Sequence, residues 1–480
     1  MKKRVKKRIK VKRWIGWPFI IATIGIAILS VFSVYQLDIL PTKYFILIIM
    51  GEILGVIFVF FLLESKHLVL FSIGLLLMIV MDAGNIALSH YTAKTNRFIN
   101  KTFAEYIITT TDYIVITSKY NEKNTMEEID STQNIHYFKY SRSIDLAQKK
   151  LGNFQYEPAD SIANVLSSMQ TDFEQYLLIS KGDFDYTIES TILYEKENYK
   201  ILKEFSVQRK EKVNNTIKDS YTIYLNGTDF TGIMRDYNVL VTVNTKSRKI
   251  LMTTILRGYY IDVPAYHMKD TLMCLGAYDS NVSKEAIENL LDTKIDYIVN
   301  INTNSLVDIV DTIGGVEFCS DYSFRTTHIL TDNTYDDRYG RKLNVIKGCR
   351  EYNGLEALAI ARERLNLRNN ERGRIENCQK ILMGIIQKSI SAETLFNFDE
   401  VLNSYSKLYT TDMNRKVITN LAKSFVENYS SYEIITQNLD GIDGTAMGHL
   451  GTQEVGVTFP NENQVKEASQ KIKEVKNENK

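Results

Sequence analysis

The stretch RDYNVLVTVNTKSRKILMTTILRGYYIDV, residues 235–263, decides the fold of the carboxyl-terminal half of this chain. Two runs rich in β-branched and apolar residues, YNVLVTVN and KILMTTIL, flank the charged turn TKSR and predict two adjacent antiparallel strands. Counted from the centre of the turn, Asp236 and Arg257 are almost equidistant, so the two side chains are expected side by side at one end of a sheet. They form either a surface salt bridge or part of a functional site.

Further strands and helices follow this pair. IDYIVNIN (295–302) predicts a buried strand, and TNSLVDIVDTIGG (303–315) a helix ending at two glycines, which suit a left-handed helix end. GLEALAIARERL (354–365) and QKILMGIIQKSI (379–390) have the spacing of amphipathic helices. Alternating strands and helices predict an α/β domain at residues 220–435, a central sheet flanked by helices. Residues 436–480 are expected to form a C-terminal tail, of which the charged end KEASQKIKEVKNENK (466–480) frays into solvent.

A smaller α/β domain is predicted ahead of this one, at residues 106–212. DYIVITS (112–118) and QYLLIS (175–180) have the composition of buried strands, whereas SIDLAQKKL (143–151) and SIANVLSSMQ (161–170) have helical spacing. The polar stretch QRKEKVNNTIKD (208–219) is a reasonable boundary between the two domains. This accessory domain contains no catalytic motif.

The amino-terminal part has the pattern of a membrane anchor. Residues 1–16 form a basic arm with nine Lys or Arg in the first thirteen positions, and three apolar runs follow within residues 17–89. Each run is about the twenty residues that a transmembrane helix needs. Because positive residues stay in the cytoplasm, we expect a multi-pass cell-membrane protein with a cytoplasmic amino terminus and extracytoplasmic domains after about residue 90. Glu52 and Asp82 inside the runs are expected at helix–helix contacts rather than on a polar path.

The four cysteines all lie in the predicted extracytoplasmic part. An even number on the oxidising side favours disulfides over metal ligands, and no spacing supports zinc. Cys319–Cys349 and Cys274–Cys378 are plausible pairs, although three connectivities remain open. The histidines show no metal spacing, and the sequence has no Ser-His-Asp arrangement or phosphate-binding glycine loop.

The segment ARERLNLRNNERGRIENCQ (361–379) is the strongest candidate for an anion site. It contains five arginines, Arg362, Arg364, Arg368, Arg372 and Arg374, in a chain whose formal net charge is +1. Guanidinium groups bind phosphate oxygens bidentately. Pairing with the glutamates of the same segment is a serious alternative, and nucleic acid is disfavoured because this part lies outside the cell. A carboxylate such as Asp236 facing these arginines across a phosphate would suit Mg²⁺.

Taken in order, residues 235–263, 295–318 and 355–382 resemble the LytR-CpsA-Psr family. The similarity covers about residues 225–430, and with three membrane spans and an accessory domain the chain looks like the capsule-associated branch. The resemblance implies a membrane-anchored transferase that moves a glycopolymer, capsular polysaccharide or teichoic acid, from undecaprenyl diphosphate to peptidoglycan by Mg²⁺-assisted phosphoryl transfer. It implies an α/β core with a hydrophobic pocket for the polyprenyl chain and a pyrophosphate site at its mouth.

Residue roles carried over from the family are expectations of the same kind. Asp236 would bind Mg²⁺ (or Mn²⁺) and act in catalysis together with Arg257. Four further positions match the family's pyrophosphate-binding residues: Arg362, Arg364, Arg374 and Gln379. Arg372 is an additional basic residue of the same segment that would assist them.

Two positions depart from the family pattern. Gly258 stands where the family usually has an Asp directly after the strand-end arginine, and Asn377 stands in place of the second arginine of the Gly-Arg motif. The missing carboxylate puts the metal site and the rate of transfer in doubt. It keeps open a second interpretation, a non-catalytic binder of lipid-linked glycans or a regulator of envelope and capsule assembly. A membrane sensor that signals through the basic arm is a weaker third interpretation.

Overall fold

The fold is taken from a computed structural model of the whole chain, which shows a mixed α/β protein with three apolar N-terminal helices. The residues that the structure describes are 2–103, 106–139, 141, 143–159, 161–189, 194–212, 216–228, 234–264, 268–278, 280–329, 342–389, 409–428, 432–448 and 453–479. The chain divides into two compact units. One is formed by Met1–Ala104, Asn215–Ile217 and Asn414–Ser431, and the other by Glu105–Asn214, Lys218–Met413 and Tyr432–Lys480.

The first unit contains the helices α1 (Lys2–Leu37), α2 (Thr42–Leu63) and α3 (Leu68–Thr102). All three are long and apolar enough to cross a membrane, over Trp17–Leu37, Thr42–Leu63 and Leu68–Lys101. Polar residues inside the spans join helices, since Asn85 donates to Glu52 at 3.0 Å and Thr23 donates to Asp82 at 3.0 Å. The acidic residues of the spans therefore serve helix–helix contacts, as predicted.

The second unit begins with a five-stranded mixed sheet in the order β3-β2-β4-β1-β5. Its elements are β1 (Tyr106–Ser118), β2 (Asn134–Phe138), α4 (Ile144–Leu151), β3 (Gln155–Ala159), α5 (Ile162–Ser168), β4 (Tyr176–Ser180), α6 (Lys181–Glu189) and β5 (Tyr199–Lys212). Strand β5 continues to Lys212, so the polar stretch predicted as a boundary is in part strand. One buried core cluster includes Ile116 and Leu177 of this sheet together with Leu240 and Leu251 of the next.

The remaining elements build the larger sheet and the helices around it. They are β6 (Ser220–Thr228), β7 (Arg235–Asn244), β8 (Lys249–Ile255), β9 (Tyr260–Val263), β10 (Met268–Thr271), α7 (Leu275–Tyr278), α8 (Ser280–Leu291), β11 (Tyr297–Asn302), α9 (Thr303–Thr312), β12 (Val316–Ser320), β13 (Phe324–Ile329), β14 (Lys342–Val345), β15 (Gly348–Tyr352), α10 (Gly354–Arg362), α11 (Asn370–Ser389), β16 (Tyr409–Thr411), α12 (Arg415–Asn428), β17 (Glu433–Leu439), β18 (Gly441–Gly448), β19 (Gln453–Pro460) and α13 (Glu462–Asn477). The central sheet has the order β16-β11-β6-β7-β8-β17.

The predicted antiparallel pair is confirmed as β7 and β8 at the middle of this sheet. Asn238 lies opposite Ile255 and Asn244 opposite Lys249, so the register continues outward to Asp236 and Arg257. Arg248 takes a positive φ of 58° in the connecting turn. The helix α9 also ends as predicted, at Gly314 and Gly315 with φ of 80° and 103°.

Helix α10 packs closely against α9. A Cβ atom at Gly354 would lie 2.3 Å from the carbonyl oxygen of Val307, so only glycine allows this approach. The helix starts with a capping box, in which the Asn353 side chain accepts from the Glu356 amide and Glu356 accepts from the Asn353 amide. Strands β12 and β15 precede it and are joined by the disulfide Cys319–Cys349, whose residues lie directly opposite each other.

The predicted C-terminal tail, residues 436–480, contains strands and a helix, and the predicted fraying of residues 466–480 is wrong. Strand β17 lies parallel to β8 in the central sheet, β18 and β19 form a hairpin, and α13 packs through its apolar face. Ala468, Ile472 and Val475 of α13 are buried, and the Asn244 side chain donates to the carbonyl of Val475 at 2.8 Å. The charged composition of this segment hides an apolar stripe at helical spacing.

The predicted domain 220–435 also differs from the structure at one place. Helix α12 groups with the membrane helices, where Arg415 donates to the carbonyl of Gln36 at 2.6 Å and Lys423 pairs with Asp38. The amphipathic pattern predicted the helix but gave no indication of its partner.

Candidate functional site

Asp236 and Arg257 lie together at one end of the central sheet. Arg257 Nη1 donates to Asp236 Oδ1 at 2.6 Å, and the two side chains are 26% and 36% exposed. The pairing predicted from the turn is therefore present, at a position open to solvent. It forms because matching positions of two antiparallel strands face the same side of the sheet.

The carboxyl end of helix α10 positions two of the predicted arginines, Arg362 and Arg364. Arg362 is the last helical residue, and Glu363 is extended with ψ of 134°. The buried Glu363 carboxylate accepts from the amides of Thr327, Arg364 and Asn366, which fixes the chain in this conformation. On a continuous helix, the side chains of Arg362 and Arg364 would point in different directions. Because α10 ends at Arg362, the two side chains are not held to that geometry. Among the described residues, neither Arg362 nor Arg364 has an ion-pair partner.

Arg374 lies in the first turns of α11, not in a loop as predicted. The helix begins at Asn370, which takes a positive φ of 46°, so the loop is shorter than its polar sequence indicated. Arg374 is 7% exposed and donates to Glu371 Oε1 from Nε at 3.1 Å and to the carbonyl of Asp236 at 2.7 Å. Glu371 Oε1 also lies 3.3 Å from Arg257 Nε. Glu371 thus connects the helix to the strand end.

The charges of this cluster stabilise one another. Burial by itself would raise the pKa of Glu371, but Arg374, Arg257 and Arg364 lower it below its ordinary value of 4.5, so the carboxylate is ionised at neutral pH. Arg257 contacts both Asp236 and Glu371, and Arg374 contacts Glu371, so these two guanidinium groups are paired with carboxylates. Arg362, at the cavity, has no ion-pair partner among the described residues, so its guanidinium group is available to an anion.

A cavity of about 380 Å³ opens at this cluster. Its polar lining includes Asp236, Arg257, Arg362 and Arg374. Apolar side chains form most of the remaining wall, drawn from the central sheet and from α9, α10 and α11: Leu225, Ile301, Leu306, Ile309, Leu358, Ile381, Leu382 and Ile385. Such a cavity accepts a ligand with an anionic head and an apolar chain.

Two other residues predicted for the site, Arg372 and Gln379, do not line the cavity. Arg372 donates from Nε to both carboxylate oxygens of Asp440 at 2.7 Å, and Gln379 donates to Thr254 and Asn438 at 2.6 and 2.8 Å. Arg368, expected in solvent, lies over the ring of Tyr322 at 4.3 Å. The structure gives Arg372 and Gln379 protein partners, and their binding of pyrophosphate stays a prediction.

Of the four cysteines, only the pair Cys319–Cys349 is joined; the predicted pair Cys274–Cys378 is not formed. Cys274 is buried and accepts from the hydroxyl of Thr271 at 2.9 Å. Cys378 lines the cavity and donates to the carbonyl of Ala361 at 3.3 Å. Burial raises the pKa of the Cys378 thiol to about 11, so it is protonated and inert at neutral pH.

The position of the missing carboxylate is filled from the protein itself. A Cβ atom at Gly258 would lie 3.3 Å from Thr458 Oγ1, because strand β19 passes beside it. Glu371 supplies a second carboxylate on the other side of Arg257, and its Oε2 atom is buried without a hydrogen-bond partner. Mg²⁺ is commonly held by one or two carboxylates together with substrate phosphates. Asp236 and Glu371 are the two carboxylates here, both paired with Arg257, and the unpartnered Oε2 of Glu371 is the atom open to such an ion; the described residues hold no group of three acidic, His or Cys side chains.

Glu363 and Glu371 are the residues whose roles were missed by sequence reasoning. Both were considered only as salt-bridge rivals of the arginines, whereas one orders the backbone between Arg362 and Arg364 and the other joins Arg257 to Arg374. The sequence did contain a signal for these roles, because an acidic residue within a run of arginines indicates that the arginine side chains are held in a defined arrangement.

Comparison with known proteins gives a consistent set of relatives. The model of the LytR_cpsA_psr family matches residues 189–474. A polyisoprenyl-teichoic acid–peptidoglycan teichoic acid transferase TagU of Enterococcus faecalis is 26% identical over 258 residues, 52% of this chain and 77% of that protein. The protein of the same name from Bacillus anthracis is 25% identical over 274 residues, 55% of this chain and 84% of that protein.

Solved structures are similar over the same part of the chain. The crystal structure of B. subtilis TagV has a TM-score of 0.44 and 20% identity, covering 55% of this chain and 100% of that one. The structure titled TagT bound to LI-WTA has a TM-score of 0.42 and 24% identity, covering 54% of this chain and 91% of that one.

Proposed function

Because the chain belongs to the LytR_cpsA_psr family, we propose that it is a membrane-anchored transferase acting on a polyprenyl-diphosphate-linked glycopolymer. Relatives named as teichoic acid–peptidoglycan transferases support a transferase that moves such a polymer to peptidoglycan. The polymer is a teichoic acid or a capsular polysaccharide. The basic arm 1–16 would hold the amino terminus in the cytoplasm, so that the cavity faces the outer side, where peptidoglycan lies.

One observation carries this proposal: an arginine-lined opening leads into an apolar cavity. Arg257, Arg362 and Arg374 line this opening, and Arg362 has no ion-pair partner among the described residues, so its guanidinium group is available to the negatively charged oxygens of a diphosphate diester. The apolar wall formed by α9, α10 and α11 suits an isoprenoid chain. A free sugar or a soluble nucleotide would leave that wall exposed to water.

The chemistry we propose is phosphoryl transfer. A hydroxyl oxygen of peptidoglycan forms a bond to the sugar-linked phosphorus, the bond from that phosphorus to the bridging oxygen breaks, and polyprenyl phosphate leaves. Asp236 would accept the hydroxyl proton. Arg257, Arg362 and Arg374 would stabilise the charge on the phosphate oxygens, a task that requires positioning and electrostatics rather than a protein nucleophile.

Asp236 and Glu371 are the residues that would hold Mg²⁺ or Mn²⁺. The bound ion would neutralise charge on the phosphate oxygens. In this proposal Glu371 would supply the second carboxylate that Gly258 does not, which supports the enzyme over the non-catalytic binder.

The test is a transfer assay with the full chain in detergent, Mg²⁺, a lipid-diphosphate-linked glycan and peptidoglycan oligomers, with the linked product detected by mass. We expect product from the native protein. Arg362→Ala should lower kcat/KM about 10- to 100-fold, because charge-assisted hydrogen bonds contribute about 1.5–3 kcal/mol. Arg368→Ala, in the same segment but stacked on Tyr322, is the matched control and should stay near native.

Two results would change the assignment. If the native protein yields no product yet binds the lipid tightly, and Arg362→Ala abolishes binding, the chain is a binder and not an enzyme. If Asp236→Ala leaves transfer intact, Asp236 holds no essential metal and takes no essential proton.

A further inference from the structure

Asp440 occupies the junction between β17 and the β18–β19 hairpin, and it contacts both segments that carry the anion site. Its carboxylate accepts from Arg372 Nε at 2.7 Å through each oxygen. Its carbonyl accepts from the hydroxyl of Tyr259 at 2.6 Å. Arg372 lies between Glu371 and Arg374 along α11, whereas Tyr259 follows Arg257 by two residues. One residue thus connects the helix and the strand end.

The same junction holds the chain after Arg257 through its backbone. The amide of Thr458 donates to the carbonyl of Gly258 at 2.7 Å, and the hydroxyl of Tyr260 donates to the carbonyl of Met447 at 2.9 Å. Tyr259 itself is fully buried. The hairpin therefore fixes three consecutive residues beyond Arg257.

Asp440 is in turn fixed by its own neighbours. Its amide donates to Gln464 Oε1 at 2.9 Å, and the amide of Gly441 donates to its Oδ1 at 2.7 Å. A Cβ atom at Gly441 would lie 2.0 Å from the carbonyl of Phe459, so the hairpin can begin here only with glycine. The carboxylate is presented to Arg372 from a rigid turn.

The contact that depends on this arrangement is the one between Arg257 and Glu371. Arg257 Nε lies 3.3 Å from Glu371 Oε1, at the outer limit of a charge-assisted hydrogen bond. A small shift of α11 against the strand end would therefore break this contact. The Arg372–Asp440 pair is itself 39% and 40% exposed, and pairs of this kind contribute little to stability. The effect of this pair is on the position of α11 relative to Arg257, not on the stability of the fold.

On this basis, and resting on the proposed function, we propose that Asp440 and Arg372 are positioning residues for the transfer site. They set the distance between Arg257 and the first turn of α11, and through it the orientation of Glu371 and Arg374 toward the diphosphate. Arg372 then acts on the site through Asp440 rather than by touching pyrophosphate.

The test compares Asp440→Asn, Arg372→Gln and Arg372→Lys in the full chain in detergent. The matched control is Asp321→Asn, which removes the partner of Lys380 at 2.8 Å on the same helix. We measure kcat and KM for transfer, affinity for geranylgeranyl diphosphate by calorimetry, and thermal unfolding.

We expect Asp440→Asn and Arg372→Gln to lower kcat by about 10- to 100-fold, since displacements near 1 Å cost this much. KM should change much less than kcat, and the unfolding temperature should stay near native. Arg372→Lys should recover part of kcat because it keeps one bond to Asp440. Asp321→Asn should behave as native.

Three results would overturn the positioning role: native kcat in both variants, an equal loss in Asp321→Asn, or a loss of kcat that only follows a fall in unfolding temperature. Failure of the proposed function is distinguishable. In that case the native protein transfers nothing, while weaker binding of geranylgeranyl diphosphate by Asp440→Asn still supports the positioning role and unchanged binding refutes it.

Discussion

Removal of Arg374 should expose how strongly the site depends on one buried ion pair. The Arg374 guanidinium is 8% exposed and its partner Glu371 23%, and both Nε and Nη2 of the arginine donate to one carboxylate oxygen. In Arg374→Ala the carboxylate keeps only Arg257 Nε at 3.3 Å, and its second oxygen is already without a partner. Breaking a buried pair from one side costs about 3–5 kcal/mol, and the partial exposure of Glu371 places the expected loss near the lower end, about 3 kcal/mol.

The double variant separates charge from contact. Glu371→Gln in the Arg374→Ala background removes the uncompensated charge, so the loss should shrink to about 1 kcal/mol, the value of an ordinary hydrogen bond. Transfer activity should not return, since both the guanidinium and the carboxylate are missing. If the double variant regains stability without regaining transfer, the Arg374 guanidinium and the Glu371 carboxylate both stabilise the site and take part in transfer.

The assay is urea unfolding of the full chain in detergent, followed by near-ultraviolet circular dichroism. The chain has 29 tyrosines and only two tryptophans, Trp14 and Trp17, so tyrosine signals report the α/β unit whereas tryptophan fluorescence would report the first membrane helix. A loss under about 1 kcal/mol in Arg374→Ala would refute the reasoning, because it would place the pair in the range of exposed ion pairs. No recovery in the double variant would refute it as well.

Four further predictions concern the cavity, the disulfide, pH and the metal. Leu382→Trp should weaken binding of geranylgeranyl diphosphate about tenfold or more, measured by calorimetry, and leave binding of inorganic pyrophosphate unchanged. The loss of contact with two buried methylenes of the lipid, at about 0.8 kcal/mol each, already reaches that factor. Leu382→Met is the volume-conserving control. Cys319→Ser with Cys349→Ser should cost about 3.6 kcal/mol in urea unfolding, the loop-entropy value for a separation of 30 residues, and equal stability would contradict it. Glu371 and Asp440 have pKa values below their ordinary 4.5 and 3.8, so their contribution is complete above about pH 4.5 and is lost as pH falls through the folded values; Glu371→Gln should flatten that acid slope. Chelation of divalent ions should abolish transfer yet leave geranylgeranyl diphosphate binding within about threefold, since guanidinium groups bind phosphate oxygens without a metal. Loss of binding on chelation would show instead that the metal is required for binding.

The sequence predicted those parts of the site that depend on local pattern. The turn between β7 and β8 fixes the register, so the neighbouring positions of Asp236 and Arg257 follow from counting alone. The end of α9 follows in the same way from two glycines. These features need only a few neighbouring residues to be correct.

Features that depend on distant partners were not predictable in this way. The start of α11 at Asn370 could not be inferred, because Asn-rich sequence favours a loop until a tertiary contact fixes it. The partner of Arg372 is Asp440, 68 residues further along, in the segment predicted as a C-terminal tail. The apolar stripe of α13 was hidden by its many lysines and glutamates, although Ala468, Ile472 and Val475 are buried.

The five arginines of residues 361–379 therefore do not form one binding surface. Asp440 engages Arg372, and the ring of Tyr322 engages Arg368, so these two are directed away from the anion site by groups elsewhere in the chain. Arg374 is held by Glu371, and Arg362 is left without an ion-pair partner among the described residues. A diphosphate entering the cavity would meet one fixed guanidinium and one free to reorient. In the proposed transfer, the fixed group would set where the phosphates lie, and the free one would follow the negative charge that develops on the bridging oxygen as polyprenyl phosphate leaves.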